Sequence, residues 1–210
     1  MHSYIYLASQ SPRRQELLHQ IGVEFELLLA DATEDAESLE AHIHGESALS
    51  YVERVTLAKL DAAEQRLLRR HLPWAPILCA DTTVAIVLDD KEIILGKPED
   101  EADAKRILQI LSGKTHQVHT AIALLATQGD KPKVLVSSSS VTFKSLSDAE
   151  IDAYIASKEP MGKAGAYGIQ GIAGSLISHI SGSFSSIMGL PLYETAQLLQ
   201  ETGIKFSIQN

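Results

Sequence analysis

The stretch PILCADTTVAIVLDDKEIILGKP, residues 76–98, decides the fold. Pro76 precedes an apolar run that is typical of a buried strand, and this strand is predicted to end at Asp81. The next two apolar runs flank Asp89 and Asp90, which predicts a hairpin that turns at this pair. Open α/β sheets bind ligands at the carboxyl ends of strands, so Asp81 is a candidate metal ligand or proton acceptor. An ordinary turn aspartate is the common alternative.

Helical and extended patterns alternate on both sides of this stretch. Residues 3–8 predict a short buried strand, and Ser11 followed by Pro12 predicts the start of a helix that ends near Ile21. A long helix is predicted from about Glu46 to His71, with an apolar face that begins at Leu49. The other expected elements are a helix from residue 100 to 112, strands at 115–126 and 134–144, a helix opened by a capping box at 147–150, a strand near 175–180 and a last helix near 192–202. The fold class is therefore mixed α/β (α+β), with one domain over residues 1–210.

Composition excludes several classes of protein. The chain has 210 residues, 45 % hydrophobic and 21 % charged, which suffices for one core or for two small lobes. A net charge of −9 argues against a broad nucleic-acid surface. We expect no membrane span and no secretion signal, because no long apolar run occurs. The single cysteine, Cys79, lies in an apolar run and is more typical of a buried hydrophobe than of a nucleophile, which fits a reducing cytoplasm.

Three sites with basic residues break local rules. Arg13 and Arg14 stand in the first turn of a predicted helix, where cations are unfavourable unless an anion binds there. Lys59 falls within the apolar face of the long helix, which suits either an ammonium directed at a ligand or a lysine whose stem crosses the edge of the core. Lys97 precedes Pro98 at the end of a predicted strand, where an ordinary edge lysine is the alternative.

Two further segments are candidate binding elements. The acidic run DATEDAESLE, residues 31–40, contains Glu34 and Glu37; such runs are usually solvated, but their oxygen atoms also suit Mg²⁺. The run MGKAGAYGIQGIAGS, residues 161–175, has five glycines that permit close backbone approach to a ligand, although a simple turn region would also explain them. Gln170 lies in this run and has an amide able to contact a base edge. His116 and His119 would point to opposite faces of a strand, so they are poor joint metal ligands.

Several blocks together resemble the Maf family of nucleotide pyrophosphatases. They are LASQSPRRQELL (7–18), ADTTV (80–84), LGKP (95–98), LSGKTHQVHTAIAL (111–124), KAGAYGIQG (163–171) and GLPLYET (189–195). The resemblance spans nearly the whole chain in the expected order. It implies a fold of two lobes around a deep cleft, related to the inosine triphosphate pyrophosphatases. It also implies a divalent cation (Mg²⁺ or Mn²⁺), a nucleoside triphosphate substrate, a cytoplasmic location and a homodimer.

The same resemblance implies roles for individual residues. Asp81 would be the proton acceptor, and Asp81 with Glu34 would hold the metal. The phosphates would be held by Ser9, Arg13, Arg14, Lys59 and Lys97, of which Arg14, Lys59 and Lys97 would assist catalysis. Arg13, Thr82 and Gln170 match the subgroup that acts on dTTP and UTP, so these three would contribute to substrate choice.

Two alternatives to dTTP and UTP hydrolysis stay open at this point. The first is a nucleotide-binding regulator of septum formation with incidental turnover, in which a catalytic base such as Asp81 would be unnecessary. The second is a pyrophosphatase for modified pyrimidine nucleotides, since sequence does not rank physiological substrates.

Overall fold

The structure is a computed structural model that describes residues 2–31, 34, 35 and 38–207. Within these residues the chain forms seven strands and six α-helices. In chain order they are β1 (Ile5–Leu7), α1 (Pro12–Gln20), β2 (Phe25–Leu27), α2 (Ala48–Arg69), β3 (Ile77–Leu88), β4 (Lys91–Leu95), α3 (Glu101–Leu111), β5 (Thr115–Leu125), β6 (Lys133–Phe143), α4 (Asp148–Ala156), β7 (Ile177–Ser181), α5 (Phe184–Met188) and α6 (Leu192–Gln200). Short 3₁₀ turns occur at Ser38–Glu40, Ala164–Ala166 and Ile172–Leu176.

The strands form a mixed sheet. Six of them are hydrogen-bonded in the order β2-β1-β3-β5-β6-β7. The seventh, β4, is not part of this order and pairs with β3. β1 is parallel to both β2 and β3, whereas β3 with β4 and β6 with β7 are antiparallel pairs. Parallel pairs require long crossovers, which α1 and α2 supply, and antiparallel pairs allow the short turn at Asp89 and Asp90. The predicted mixed α/β class is confirmed.

The chain divides into two compact units, each with its own core. The first unit is formed by Met1–Asp81, Thr120–Ser137 and Gly189–Asn210, and the second by Thr82–His119 and Ser138–Met188. The first core is built from β1, α2 and the first half of β3, with Tyr6, Leu60 and Ile77 among its buried residues. The second is built mainly from β4, α3, β6, α4 and the glycine-rich segment, with Leu95, Leu108 and Phe143 among its buried residues.

Two sequence predictions are wrong in detail. The strand beginning at Ile77 does not end at Asp81 but continues to Leu88, so Asp81 lies inside β3. The physical reason is that β-branched Thr82 and Thr83 favour extended backbone and no glycine or proline interrupts it. Leu49 was expected on the buried face of α2 but is 48 % exposed, whereas Ala48 beside it in the first turn is fully buried. β2 and α5 were not predicted, since each is too short to show a period.

His116 is buried in the core of the second unit. It is 1 % exposed on β5, and its Nε2 lies 2.8 Å from the hydroxyl of Tyr167. The rings of Phe143 and Tyr167 contact it edge-on. No hydrogen-bond partner of Nδ1 occurs in the described part of the chain, and burial lowers the pKa of His116 from 6.5 to about 4. The folded protein therefore holds a neutral imidazole.

This pKa predicts acid sensitivity of the fold. Between pH 6.5 and 4 the unfolded chain protonates His116 and the folded chain does not, so stability present above pH 6.5 is lost as the pH falls. Urea unfolding should show a fall of up to about 1.4 kcal/mol per pH unit that is absent from His116→Phe. Phenylalanine removes the titration and keeps the aromatic contacts. Equal pH slopes in the two proteins would contradict a neutral buried His116.

Candidate active site

The N-terminus of α1 presents two arginines beside Ser9. Ser11 is the N-cap residue, Pro12 occupies the first turn, and no acidic side chain stands there to balance the helix dipole. Arg14 donates from Nη1 to the Ser9 hydroxyl at 3.0 Å and from Nε to the carbonyl oxygen of Gly189 at 2.8 Å. These bonds fix its guanidinium, and the same Ser9 oxygen accepts the N–H of Ser11 at 3.2 Å. The arrangement is a preformed cationic group at a helix N-terminus, which favours anions.

Lys59 and Asp81 form an ion pair in the first unit. Lys59 Nζ lies 2.6 Å from Asp81 Oδ1 and 2.8 Å from Glu40 Oε1, so one ammonium is shared by two carboxylates. The side chains of Lys59 and Asp81 are 21 % and 12 % exposed. Glu40 is itself anchored, because the Tyr51 hydroxyl donates to its carbonyl oxygen at 3.0 Å. The sequence offered an ammonium directed at a ligand or a stem crossing the edge of the core; in the structure the ammonium of Lys59 is paired with these two carboxylates.

Electrostatics link Arg14 and Tyr51 to the same carboxylate. Burial lowers the pKa of Arg14, and the negative charge of Asp81 opposes that shift. Both arginines are half-buried, and burial also lowers the pKa of the neighbouring Arg13. Burial, with the charges of Asp81 and Glu40, raises the pKa of Tyr51 to about 12. The charge of Asp81 therefore acts on Arg14, Lys59 and Tyr51.

Glu34 is bound by arginines of α2. Arg66 donates to it from Nε at 2.9 Å and from Nη2 at 2.7 Å, and Arg69 donates at 2.8 Å. These hydrogen bonds hold the pKa of Glu34 below its ordinary value, although burial acts in the opposite direction. Arg66 is 5 % exposed and also donates to the carbonyl oxygen of Leu28. Together, Arg66 and Glu34 tie the segment after β2 to α2.

These contacts bear on the expected metal ligands. Among the described residues no three His, Cys, Asp or Glu side chains converge as a ready-made metal cage. Mg²⁺ in nucleotide sites needs only one or two carboxylates, with phosphates and water completing its shell. Asp81 fits such a site, whereas Glu34 fits only after leaving Arg66 and Arg69. Glu37, in the same acidic run, lies outside the described residues.

The other predicted residues belong to the second unit. Thr82 follows Asp81 on β3 and is half-buried, and Lys97 is exposed two residues after β4. Gln170 is exposed in the glycine-rich segment. The segments of Lys97 and Gln170 are joined, because the N–H of Gly165 donates to the carbonyl oxygen of Gly96 at 3.0 Å.

Gly165 shows why the segment is rich in glycine. Its φ is +70°, and an added Cβ would lie 2.9 Å from Val84 Cγ2. Both the left-handed backbone and the close approach to β3 exclude larger residues. The hydroxyl of the adjacent Tyr167 bonds to His116, so the segment is attached to β5 as well. His119 has a separate partner, the Ser138 hydroxyl, at 2.8 Å from Nδ1.

Sequence reasoning missed Glu40 and Arg66. Glu40 lies 19 residues from Lys59, a separation that no helical or strand period connects. Arg66 had a signal, because it is a cation on the buried face of α2 beside Leu67. That signal is the same one that singled out Lys59.

Comparison with known proteins identifies the family. The family model described as Maf-like protein matches residues 4–202, so the chain belongs to the Maf family. It is 58 % identical over 205 residues to a dTTP/UTP pyrophosphatase of Albidiferax ferrireducens, covering 98 % of this chain and 100 % of that protein. It is 56 % identical over 203 residues to a dTTP/UTP pyrophosphatase of Ralstonia nicotianae, covering 97 % and 96 %. Among solved structures, the Staphylococcus aureus Ham1 protein aligns with a TM-score of 0.41 and 16 % identity, over 67 % of this chain and 71 % of that chain.

No helix within the described ranges is both long enough and apolar enough to cross a bilayer.

Proposed function

We propose that this protein hydrolyses dTTP and UTP to the monophosphate and pyrophosphate. The observation that carries the proposal is the Lys59–Asp81 pair at 2.6 Å, with Arg14 electrostatically coupled to the same carboxylate. A carboxylate beside fixed cations is what hydrolysis of an anionic substrate requires. The relatives that share at least 56 % of aligned residues carry the name of this activity.

The cations of the site would neutralise the negative charge of the substrate. A triphosphate repels an incoming nucleophile, so its oxygens must be neutralised before attack. Arg13 and Arg14 can each bind two phosphate oxygens through a planar guanidinium, while Lys59 and Lys97 act as point charges. Ser9 adds a hydroxyl that already orients Arg14. Arg14, Lys59 and Lys97 are proposed to stabilise the charge that develops on the leaving pyrophosphate.

Asp81 is the proposed proton acceptor. Water attacks the α-phosphorus, an oxygen–phosphorus bond forms, and the bond to the β-phosphate oxygen breaks. Asp81 takes the proton from the water, and pyrophosphate leaves with the electron pair of the broken bond. Lys59 is paired with Asp81 before substrate binds, and its ammonium becomes available to phosphate once the substrate is bound.

A divalent cation, Mg²⁺ or Mn²⁺, is part of the proposal. Bound to the triphosphate, it supplies charge neutralisation at the phosphate oxygens. Asp81 would hold it, and Glu34 would join after exchanging its arginine partners. Arg66 and Arg69, which bind Glu34 in this structure, would compete with a metal for its carboxylate.

Base selection is assigned to Gln170, with Arg13 and Thr82. The imide edge of thymine or uracil presents an N–H between two carbonyl oxygens, and a glutamine amide offers both an acceptor and a donor. Gln170 is exposed, so its amide is accessible to a base. An amide held with its oxygen toward the base N–H would discriminate against cytosine, whose N3 is an acceptor.

We also propose a cytoplasmic location and a homodimer. The buried Cys79 and the lack of any cysteine to pair with it suit a reducing compartment. The homodimer comes from the family resemblance, and light scattering of the purified protein measures it directly.

Asp81→Asn should reduce kcat for dTTP by at least about a thousandfold, because the amide retains the shape but neither charge nor basicity. Pyrophosphate release at saturating Mg²⁺ measures the effect, with circular dichroism to verify the fold. Glu46→Gln, which alters an ion pair with Arg54 elsewhere in the first unit, is the matched control. Turnover by Asp81→Asn near the wild-type rate would remove Asp81 from catalysis.

The metal assignment predicts a change in Mg²⁺ dependence. Glu34→Gln should raise the Mg²⁺ concentration for half-maximal activity about tenfold, since a neutral amide is a poorer ligand. Glu40→Gln keeps both proposed ligands and should leave that concentration unchanged. A shift in Glu40→Gln alone would assign the second ligand to Glu40 instead.

Gln170→Glu tests base choice. An ionised carboxylate only accepts hydrogen bonds and repels the carbonyl oxygens of thymine and uracil, so kcat/KM for dTTP and UTP should fall about a hundredfold. Adding Arg13→Trp and Thr82→Gln should introduce activity on 7-methyl-GTP, whose cationic ring stacks on tryptophan. A triple variant that still prefers dTTP and UTP would contradict this account of specificity while sparing the pyrophosphatase assignment.

A further inference from the structure

Two side chains of the second unit bind the backbone of the turn that carries Gln170. Within the turn, the N–H of Gly171 donates to the carbonyl oxygen of Gly168 at 3.0 Å, so Gln170 stands at its tip. This single bond closes the turn but does not fix it to the core. The attachment comes from Tyr154 on α4 and from Glu159, just beyond the end of that helix.

Tyr154 holds the residue two positions before Gln170. The N–H of Gly168 donates to the Tyr154 hydroxyl at 3.3 Å, and that hydroxyl donates to Glu159 Oε1 at 2.9 Å. Tyr154 is 3 % exposed, so its ring is fixed in the core. The entry to the turn is therefore anchored on a rigid group.

Glu159 holds the residues immediately after Gln170 and Gly171. The N–H of Ile172 donates to Oε2 at 2.8 Å, and the N–H of Ala173 donates to Oε1 at 3.3 Å. Burial alone would raise the pKa of Glu159, but these bonds and that of Tyr154 lower it below the ordinary value. The ionised carboxylate is thus the form that the structure stabilises.

Gly171 makes this contact sterically feasible. A Cβ at that position would lie 2.3 Å from Glu159 Oε2 and 2.5 Å from Cδ. Any other residue at 171 would force the carboxylate away from the N–H groups of Ile172 and Ala173. Gly171 therefore leaves the space in which the Glu159 carboxylate binds the turn, although the two residues are 12 positions apart in sequence.

We propose that Glu159 is a positioning residue for substrate choice, which with Tyr154 fixes the backbone on both sides of Gln170 and so aims its amide at the base. The inference rests on the proposed function, because it takes Gln170 as the group that contacts thymine or uracil. Glu159 touches no substrate itself. Its hydrogen bonds to backbone N–H groups are charge-assisted, which makes them stronger than neutral ones.

A loosely held Gln170 should bind the base poorly without changing the chemistry at phosphorus. A glutamine at 159 has one acceptor oxygen, and its NH₂ group faces an N–H donor where the carboxylate had an acceptor. Selectivity should therefore fall while catalysis by Asp81 persists. This split separates a positioning role from general loss of structure.

The experiment measures kcat and KM for dTTP, UTP and dCTP in wild type, Glu159→Gln, Tyr154→Phe and Gln170→Ala. In Glu159→Gln we expect KM for dTTP and UTP to rise about tenfold, kcat to stay within about twofold, and the preference over dCTP to fall about tenfold. Tyr154→Phe keeps the buried ring and removes only the hydroxyl, so it should shift the same ratio in the same direction. It also provides the test if Glu159→Gln does not fold.

Glu150→Gln is the matched control, since Glu150 on α4 caps that helix and contacts Ser147 and Lys144 rather than the turn. It should lower the melting temperature and leave the substrate preference unchanged. An unchanged preference in both Glu159→Gln and Tyr154→Phe, with Gln170→Ala altered, would overturn the positioning role alone. A wild type without dTTP turnover, or Gln170→Ala with unaltered preference, would overturn the proposed function or its base contact, and this inference with it.

Discussion

A buried carboxylate on β3 constrains the first unit more than any other group. Asp81 is 8 % exposed and follows four fully buried residues of the strand, so its charge is stable only with a cation at contact distance. Lys59 supplies it, and α2 must therefore lie with that side chain over β3. Removing the partner of a charge buried to this degree costs ~3–5 kcal/mol. The ion pair therefore joins α2 to β3, and Glu40 shares the same ammonium.

Arg66 and Glu34 likewise show that a buried charge requires an opposite charge at contact distance. A guanidinium inside α2 requires a carboxylate, and the segment after β2 provides one. The acidic run at 31–40 is therefore not simply a solvated face. Its Glu34 compensates one cation of α2, and its Glu40 another. A buried arginine and a half-buried lysine on one helix thus hold Glu34 and Glu40.

Much of this could be predicted from sequence, and the failures have physical causes. The long helix, the hairpin at Asp89 and the capping box at Ser147 follow from local periodicity and cap chemistry, which act over a few residues. Lys59 stood out because a cation on an apolar face breaks that periodicity. Glu40 and Glu159 could not be found in this way, since their partners are chosen by tertiary packing across 19 and 11 residues. The continuation of β3 past Asp81 was missed because a polar residue inside a strand resembles a strand end when its ion-pair partner is unknown.

Cys79 lies two residues before Asp81 on β3 and is fully buried. Burial raises the pKa of its thiol to about 12, so the thiolate that oxidants and electrophiles attack is almost absent from the folded protein. Because the sequence has no second cysteine, no intramolecular disulfide can form when redox conditions change. Oxidative damage at sulfur in this strand is therefore coupled to unfolding of the first core, and the intact enzyme is insensitive to the thiol chemistry of its surroundings.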